Sequence, residues 1–456
     1  MNWLKDRSNS LPNKKFINSM TYKEVFEAMI GIASNMKNII GNEKRIAIMS
    51  NNSIEFALVI LAAMNLKVEV LLLNSRLKDD EINDRLKELK IAVVFSEDNK
   101  FISFKELFNK KSKSMELSLD FDDQEDRIVF IMNTSATTGK FKSVPITLSS
   151  IKAHVKASKD MLGYREDDNW LLVLPMFHIG GLAILLRSLF NGTAVTIVDK
   201  FNEGKVLELI NSRKVNMASM IPTMFRRVVD GIEHHNLRVM LLSGEFADDA
   251  LVYKGINKNI PIYKSYGMTE TTSQITCFNV KENVEKIKSV GKPLMLSEVK
   301  INITDRSEVN EDGYPIGEIL LKAPMIMKGY IGKEEVSGYF NTGDIGYVDN
   351  ENFLYILDRR SNLIISGGEN IYPLEIENVL YKNEEIKECA VIGKEDKVWG
   401  KVPVLYVVTK LSENEIIEYL KVHLANYKIP KKIIFKDSLP KNNTGKIARM
   451  LLGSEA

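Results

Sequence analysis

The chain has 456 residues, 45% hydrophobic and 27% charged, and its 62 Lys+Arg nearly balance 60 Asp+Glu for a net charge of +2. That length implies two or three domains with a substantial core, and the balance gives no support to a nucleic-acid or membrane-surface role. Cys277 and Cys389 are the only cysteines and stand far apart, so neither a disulfide framework nor a zinc site is expected. The N-terminus lacks a secretory apolar region and the longest apolar run, 56–64, is too short for a bilayer, so the expectation is a cytoplasmic protein.

In chain order, 45–49 reads as a strand, 53–65 as an amphipathic helix, 68–73 as a strand, 79–90 as a surface helix and 91–95 as a strand. The stretch 97–124 is assigned no function. Residues 127–132 are β-branched and apolar, a buried strand, and 133–144 then reads Asn-Thr-Ser-Ala-Thr-Thr-Gly-Lys-Phe-Lys-Ser-Val. Small hydroxyl residues, a glycine that admits close backbone approach, and two lysines are what a polyphosphate requires. The spacing is not that of a Walker loop, and a solvated turn has the same composition. Ser149 or Ser150 is placed to cap a helix running to about 162. The runs 170–174, 194–198, 217–221, 239–242 and 262–265 are short and apolar between helical patterns, which predicts mostly parallel sheets covered by helices. Ligands in such α/β folds sit at the carboxyl ends of strands. From 300 to 355 the pattern changes to short strands with turns at Gly313, Gly317 and Gly346, and a smaller lysine-rich α+β segment follows.

Four further clusters carry polar chemistry. Tyr266-Gly267-Met268-Thr269-Glu270-Thr271 puts a carboxylate at a strand end, a natural Mg²⁺ ligand beside a polyphosphate, although a glutamate there taken alone is more often a solvated turn. Asn341-Thr342-Gly343-Asp344, joined by Asp358-Arg359-Arg360, offers an aspartate for a ribose diol, though Thr-Gly-Asp is also common turn chemistry. Ser366-Gly367-Gly368-Glu369 is a turn ahead of a helix beginning near Pro373, and Asn443-Thr444-Gly445-Lys446 holds a lysine on a turn near the end of the chain. Arg187 sits within 182–190, where every other position but Ser188 is apolar. A desolvated arginine needs an anionic partner, either a substrate carboxylate or an internal acid.

In order and combination, 133–142, 174–181, 266–271, 341–344, 358–373 and 440–446 resemble the adenylate-forming superfamily of acyl-CoA synthetases, luciferases and carrier-protein adenylation domains, over essentially the whole chain. The stretches 169–179 and 358–373 look like those of o-succinylbenzoate–CoA ligases of menaquinone synthesis. The resemblance implies a large N-terminal domain, 1–357, of helix-covered sheets plus a small β-rich subdomain, and a mobile α+β domain, 358–456. It implies a carboxylic acid activated with ATP and Mg²⁺ and passed to coenzyme A; the alternatives are another aryl or medium-chain acid, or carrier-protein loading. Partners are then small molecules, with no nucleic acid and no integral membrane association, and a homo-oligomer is left open.

Carried over by motif, Thr134, Ser135, Thr137, Thr138, Gly139 and Lys142 wrap the pyrophosphate end of ATP. Ser243, Gly244, Glu245, Tyr266 and Gly267 face the adenine, and Asp344 and Arg359 grip the ribose. Glu270 holds Mg²⁺, Thr269 contacts the α-phosphate, and Lys446 bridges the acyl carboxylate and that phosphate. His178, Arg187, Ser273 and Gln274 border the acyl pocket, with His178 gating and Arg187 taking a second carboxylate. Gly367 and Gly368 line the coenzyme A tunnel after rotation about a hinge at Ser361. The chain departs from the pattern at Ala136, usually glycine, at Phe141, usually proline, and at Ser361, usually Asp or Lys.

Overall fold

The structure, a computed structural model, describes residues 3–98, 100–108, 126–135, 141–304, 308–441 and 447–453. Two sheets form the larger part. A nine-stranded sheet runs, in spatial order, Lys292–Pro293, Ser273–Asn279, Ile262–Met268, Val239–Leu242, Met217–Met220, Asn169–Leu172, Ala194–Ile197, Lys15–Ile17 and Met20–Thr21. Its six central strands are parallel, and antiparallel strands close both edges. A six-stranded sheet runs Ile102–Ser103, Val94–Ser96, Arg45–Met49, Glu69–Leu73, Ile128–Ser135 and Phe141–Thr147, with only the last pair antiparallel.

The helices Tyr22–Ile40, Ile54–Asn65, Leu148–Leu162 and Ile179–Asn191 share one apolar core with both sheets. Helix Ile54–Asn65 is not amphipathic as expected: every residue from Phe56 to Met64 is buried, because the helix is packed on all sides. Its start follows from Ser53, whose hydroxyl accepts from Phe56 N–H at 2.9 Å. Neither Ser149 nor Ser150 caps Leu148–Leu162. The preceding strand runs up to Thr147, so Thr147 Oγ1 takes the Ser150 N–H at 3.1 Å and both serines fall in the first turn. Among the described residues no helix is long and apolar enough to cross a membrane.

A four-stranded antiparallel sheet follows: Glu298–Asn302, Gly317–Lys322, Phe340–Val348 and Leu354–Arg359. Gly313 lies in a turn as expected, but Gly317 and Gly346 are cross-strand partners inside strands. A Cβ at Gly346 would lie 2.1 Å from Tyr355 O, and one at Gly317 would lie 2.2 Å from Asn302 O, so these glycines permit close backbone approach. The last sheet contains Glu369–Ile371, Ile364–Ser366, Gly400–Thr409, Ile386–Asp396 and Lys432–Phe435, and it carries its own core with helices Pro373–Leu380 and Glu413–His423. The expected division after residue 357 falls inside the last strand of the four-stranded sheet, Leu354–Arg359. Asp358 and Arg359 still pair with the four-stranded sheet, and the next strand opens at Ile364. Polar contacts bridge the break: Asp358 Oδ2 accepts from Leu374 N–H at 2.8 Å, Asn370 Nδ2 donates to Glu308 Oε1 at 2.7 Å, and Arg360 pairs with Glu318 at 2.8 Å.

Candidate active site

Two of the polar motifs, 243–245 and 266–271, stand at the carboxyl ends of central parallel strands. Strand Ile262–Met268 ends in a 3₁₀ turn, Thr269–Thr271, and the chain returns antiparallel as Ser273–Asn279. The return is tight: Thr272 has φ +53 and Ser273 φ +95, both in the left-handed region, where a β-branched residue is strained. Thr271 Oγ1 braces the turn by accepting from Met268 N–H at 2.9 Å and donating to Ser273 O at 2.7 Å. Gly267 is required beneath it, since a Cβ there would sit 1.8 Å from Ser273 O.

This turn brings Glu270 toward the hairpin of strands Ile128–Ser135 and Phe141–Thr147. Its Oε1 accepts from Tyr330 O–H at 2.8 Å and its backbone carbonyl from Met327 N–H at 2.8 Å. Lys142 Nζ lies 4.8 Å from the centre of the Tyr330 ring. The expected open loop at 133–144 is instead strand through Ser135 and again from Phe141, with Thr134 paired directly to Lys142. Tyr330 thus joins two predicted elements, Lys142 and Glu270. No motif marks it, and what identifies it is contact with Glu270, 60 positions away, and with Lys142, farther still. One carboxylate beside a cation-lined hairpin fits Mg²⁺, which prefers one or two carboxylates and completes its octahedron with phosphate and water oxygens. Among the described residues there is no group of three or more His, Cys, Asp or Glu placed to hold a metal ion.

The second group is Tyr266, Asp344 and Arg359. Tyr266 O–H donates to Asp344 Oδ2 at 2.5 Å, and Arg359, the cross-strand partner of Asp344, reaches Oδ1 with Nε at 3.0 Å. Burial pushes the Asp344 carboxyl above its ordinary range, against the opposing pull of Arg359. Burial first, then the Asp344 charge, raises the Tyr266 phenol well above 10, which keeps it a donor. Ser243, Gly244 and Glu245 follow the neighbouring strand Val239–Leu242 on the same sheet edge, with Glu245 Oε2 accepting from Thr223 Oγ1 at 2.9 Å.

The third group lies deeper. Arg187, on helix Ile179–Asn191, is 2% exposed. Its Nη2 donates to Gln274 Oε1 at 2.7 Å and to His154 Nε2 at 3.1 Å, with Ser273 Oγ at 3.5 Å, and its guanidinium lies 5.6 Å from the Trp170 ring. Ser158 Oγ also donates to Gln274 Oε1, at 3.0 Å. Among the described residues no carboxylate pairs with Arg187, the alternative allowed for it, and its buried Nε has no partner there. Burial pushes the guanidinium pKa down to about 10. Of the predicted acyl residues, Arg187, Ser273 and Gln274 are therefore brought together. His178 stands at the N-terminus of the same helix, half-buried and edge-on to Phe177 at 4.7 Å. His154 joins this group without any mark in the sequence, since a histidine inside a helical pattern carries no signal of its own.

Thr137, Thr138, Gly139, Ala136 and Lys446 lie outside the described residues, and of Ser135 only the backbone is described. Phe141 packs beneath Arg85, whose guanidinium is 4.7 Å from its ring, which accounts for an aromatic at that position. Ser361 is exposed in the turn between the last two sheets. Gly367 and Gly368, at φ +60 and +93, form a hairpin turn against Trp399, and among the described residues no hydrogen bond ties that turn to the three groups above.

A profile of AMP-binding enzymes matches residues 5–331, and one of the AMP-binding enzyme C-terminal domain matches 375–446. The chain belongs to the AMP-binding enzyme family. It is 47% identical to the 2-succinylbenzoate–CoA ligase of Lactococcus lactis, over 98% of this chain and 99% of that protein. Among solved structures, the o-succinylbenzoate CoA synthetase of Bacillus subtilis with its acyl-adenylate intermediate superposes at a TM-score of 0.92, with 35% identity over 100% of this chain and 98% of that one. The same enzyme with ATP and magnesium ion gives 0.91 at 35% identity, covering 99% of each chain.

Proposed function

We propose that this chain is an AMP-forming 2-succinylbenzoate–CoA ligase. One carboxylate of the acid attacks the α-phosphorus of ATP and pyrophosphate leaves. The thiol of coenzyme A then takes the acyl group from the adenylate, and AMP leaves. The chemistry asks the protein mainly for positioning and charge stabilisation. Asp344, with a lone pair left on each oxygen, accepts the ribose hydroxyls while Arg359 and Tyr266 hold it in place. Thr134 and Lys142 face the pyrophosphate, Thr269 the α-phosphate, and Glu270 holds Mg²⁺, which when bound offsets the phosphate charge. Lys446 of the second unit bridges the two reacting groups, and Ser361 lies where that unit turns between half-reactions. His178, Ser273 and Gln274 border the acyl group.

The observation that carries the substrate is Arg187. A buried guanidinium supported only by neutral groups is completed by an anion from outside the chain, and an acid with two carboxylates supplies one after the other has reacted. The relative from Lactococcus lactis carries that substrate in its name, which supports the same reading. The test is thioester formation with ATP, Mg²⁺ and coenzyme A against 2-succinylbenzoate, benzoate, a dihydroxybenzoate and a medium-chain fatty acid. The expected result is a strong preference for 2-succinylbenzoate, and an Arg187→Ala enzyme with KM for it raised about tenfold or more. An unchanged KM in that variant removes Arg187 from substrate binding.

A further inference from the structure

We propose that His154 is the positioning residue that keeps Arg187 both fixed and uncompensated, so that the guanidinium separates acids carrying a second carboxylate from acids lacking it. The inference rests on the reading of Arg187 as the carboxylate site. His154 stands on helix Leu148–Leu162 and is 1% exposed, facing Arg187 on helix Ile179–Asn191. A guanidinium offers only N–H donors, so at 3.1 Å the imidazole Nε2 accepts and the ring proton resides on Nδ1. The ring is then neutral. Burial first and the Arg187 charge second hold its pKa well below the ordinary histidine range, against the smaller pull of a Gln274 backbone group.

Neutrality is what gives the contact its use. Arg187 Nη2 is held from two directions, by the imidazole and by the Gln274 amide oxygen, and neither acceptor carries charge. A carboxylate at position 154 would hold the arginine equally well but would take up its charge, leaving little attraction for a ligand anion. A hydrocarbon there would leave the charge but free the side chain to move, and misplacement of a bidentate donor by a fraction of an ångström weakens it. A core histidine that merely fills space would be indifferent to either change as long as the fold survives.

The experiment is ATP–pyrophosphate exchange by the full chain with 2-succinylbenzoate and with its analogue in which the non-reacting carboxylate is replaced by hydrogen. The readout is the ratio of the two kcat/KM values. His154→Leu is expected to lower that ratio about tenfold, through KM for the diacid. His154→Gln, which returns a neutral acceptor, brings it back to within about threefold of the wild type, and His154→Glu drives it to the Arg187→Ala value. An unchanged ratio in a folded His154→Leu enzyme overturns the proposal. If that variant does not fold, equal ratios for the Gln and Glu enzymes overturn it instead. An Arg187→Ala enzyme that keeps the wild-type ratio brings down the carboxylate site itself, whereas a collapse in Arg187→Ala beside inert His154 variants brings down only the role of His154.

Discussion

The proposed ATP end and the proposed acyl end of this site treat charge differently. At the ATP end Asp344 is ion-paired with Arg359 and also accepts from Tyr266, and Glu270 accepts from Tyr330. At the acyl end Arg187 is buried among an imidazole, an amide and a hydroxyl, with no acid among the described residues. The difference matches what each end must recognise. ATP is invariant, and groups already braced by one another bind it without reorganising. The acid must be told from its neighbours, and an unanswered buried cation binds the anion that completes it while penalising a ligand that leaves it bare.

The strongest way to break the contrast is to damage the backbone shared by both ends. In Gly267→Ala the added Cβ would meet Ser273 O at 1.8 Å, displacing the return strand that carries Ser273 and Gln274 along with the Glu270 turn. Stability should fall by about 3 kcal/mol, and exchange activity with any acid to below roughly a hundredth, because both ends lose their geometry. A thermal melt and an exchange assay check this, and a variant with wild-type activity would show that the turn is not rigid. Asp344→Ala should divide the ends. It strips Tyr266 and Arg359 of their common acceptor, so KM for ATP should rise by about a hundredfold, while the preference for the diacid over its monoacid analogue stays with Arg187. A lost diacid preference in that enzyme would mean that the two ends are coupled rather than separate.

How far the sequence discloses this site depends on how local each feature is. The parallel strands were legible as short β-branched runs between helical patterns, and the Glu270 and Asp344 motifs because each is a contiguous strand-end phrase. Arg187 stood out as one charge in an apolar helix, where a single residue violates its surroundings. Ser149 and Ser150 mislead as caps because a strand running on to Thr147 places the cap two or three residues earlier, an offset set by tertiary pairing. The even burial of helix Ile54–Asn65 was also hidden, since packing between two sheets is not written in a helical period. His154 and Tyr330 escaped for a stronger reason. Their partners lie 33 and 60 residues away, and neither stands in a phrase that marks it.

Tyr330→Phe makes the finest cut, because it removes one hydrogen bond and leaves a ring. The phenol donates to Glu270 Oε1 at 2.8 Å, and burial together with the Glu270 charge raises its pKa, so it remains a donor at any working pH. The ring stays beneath Lys142 in the variant, preserving the contact that now measures 4.8 Å to its centre. What is lost is the fixed direction of one carboxylate oxygen. Both residues are only half-buried, so water replaces the hydroxyl and the loss is smaller than for a buried charged pair. The expected effect is a rise of about three- to fivefold in the Mg²⁺ concentration giving half-maximal exchange, with the diacid preference retained. Tyr330→Leu, which removes the ring as well, should add a further increase of about twofold from the lost cation–π contact. If Tyr330→Phe titrates with Mg²⁺ like the wild type, Glu270 is oriented by its own turn and by Met327 N–H alone. The ATP end would then be braced by backbone there rather than by side chains, and the contrast with the acyl end would rest on Asp344.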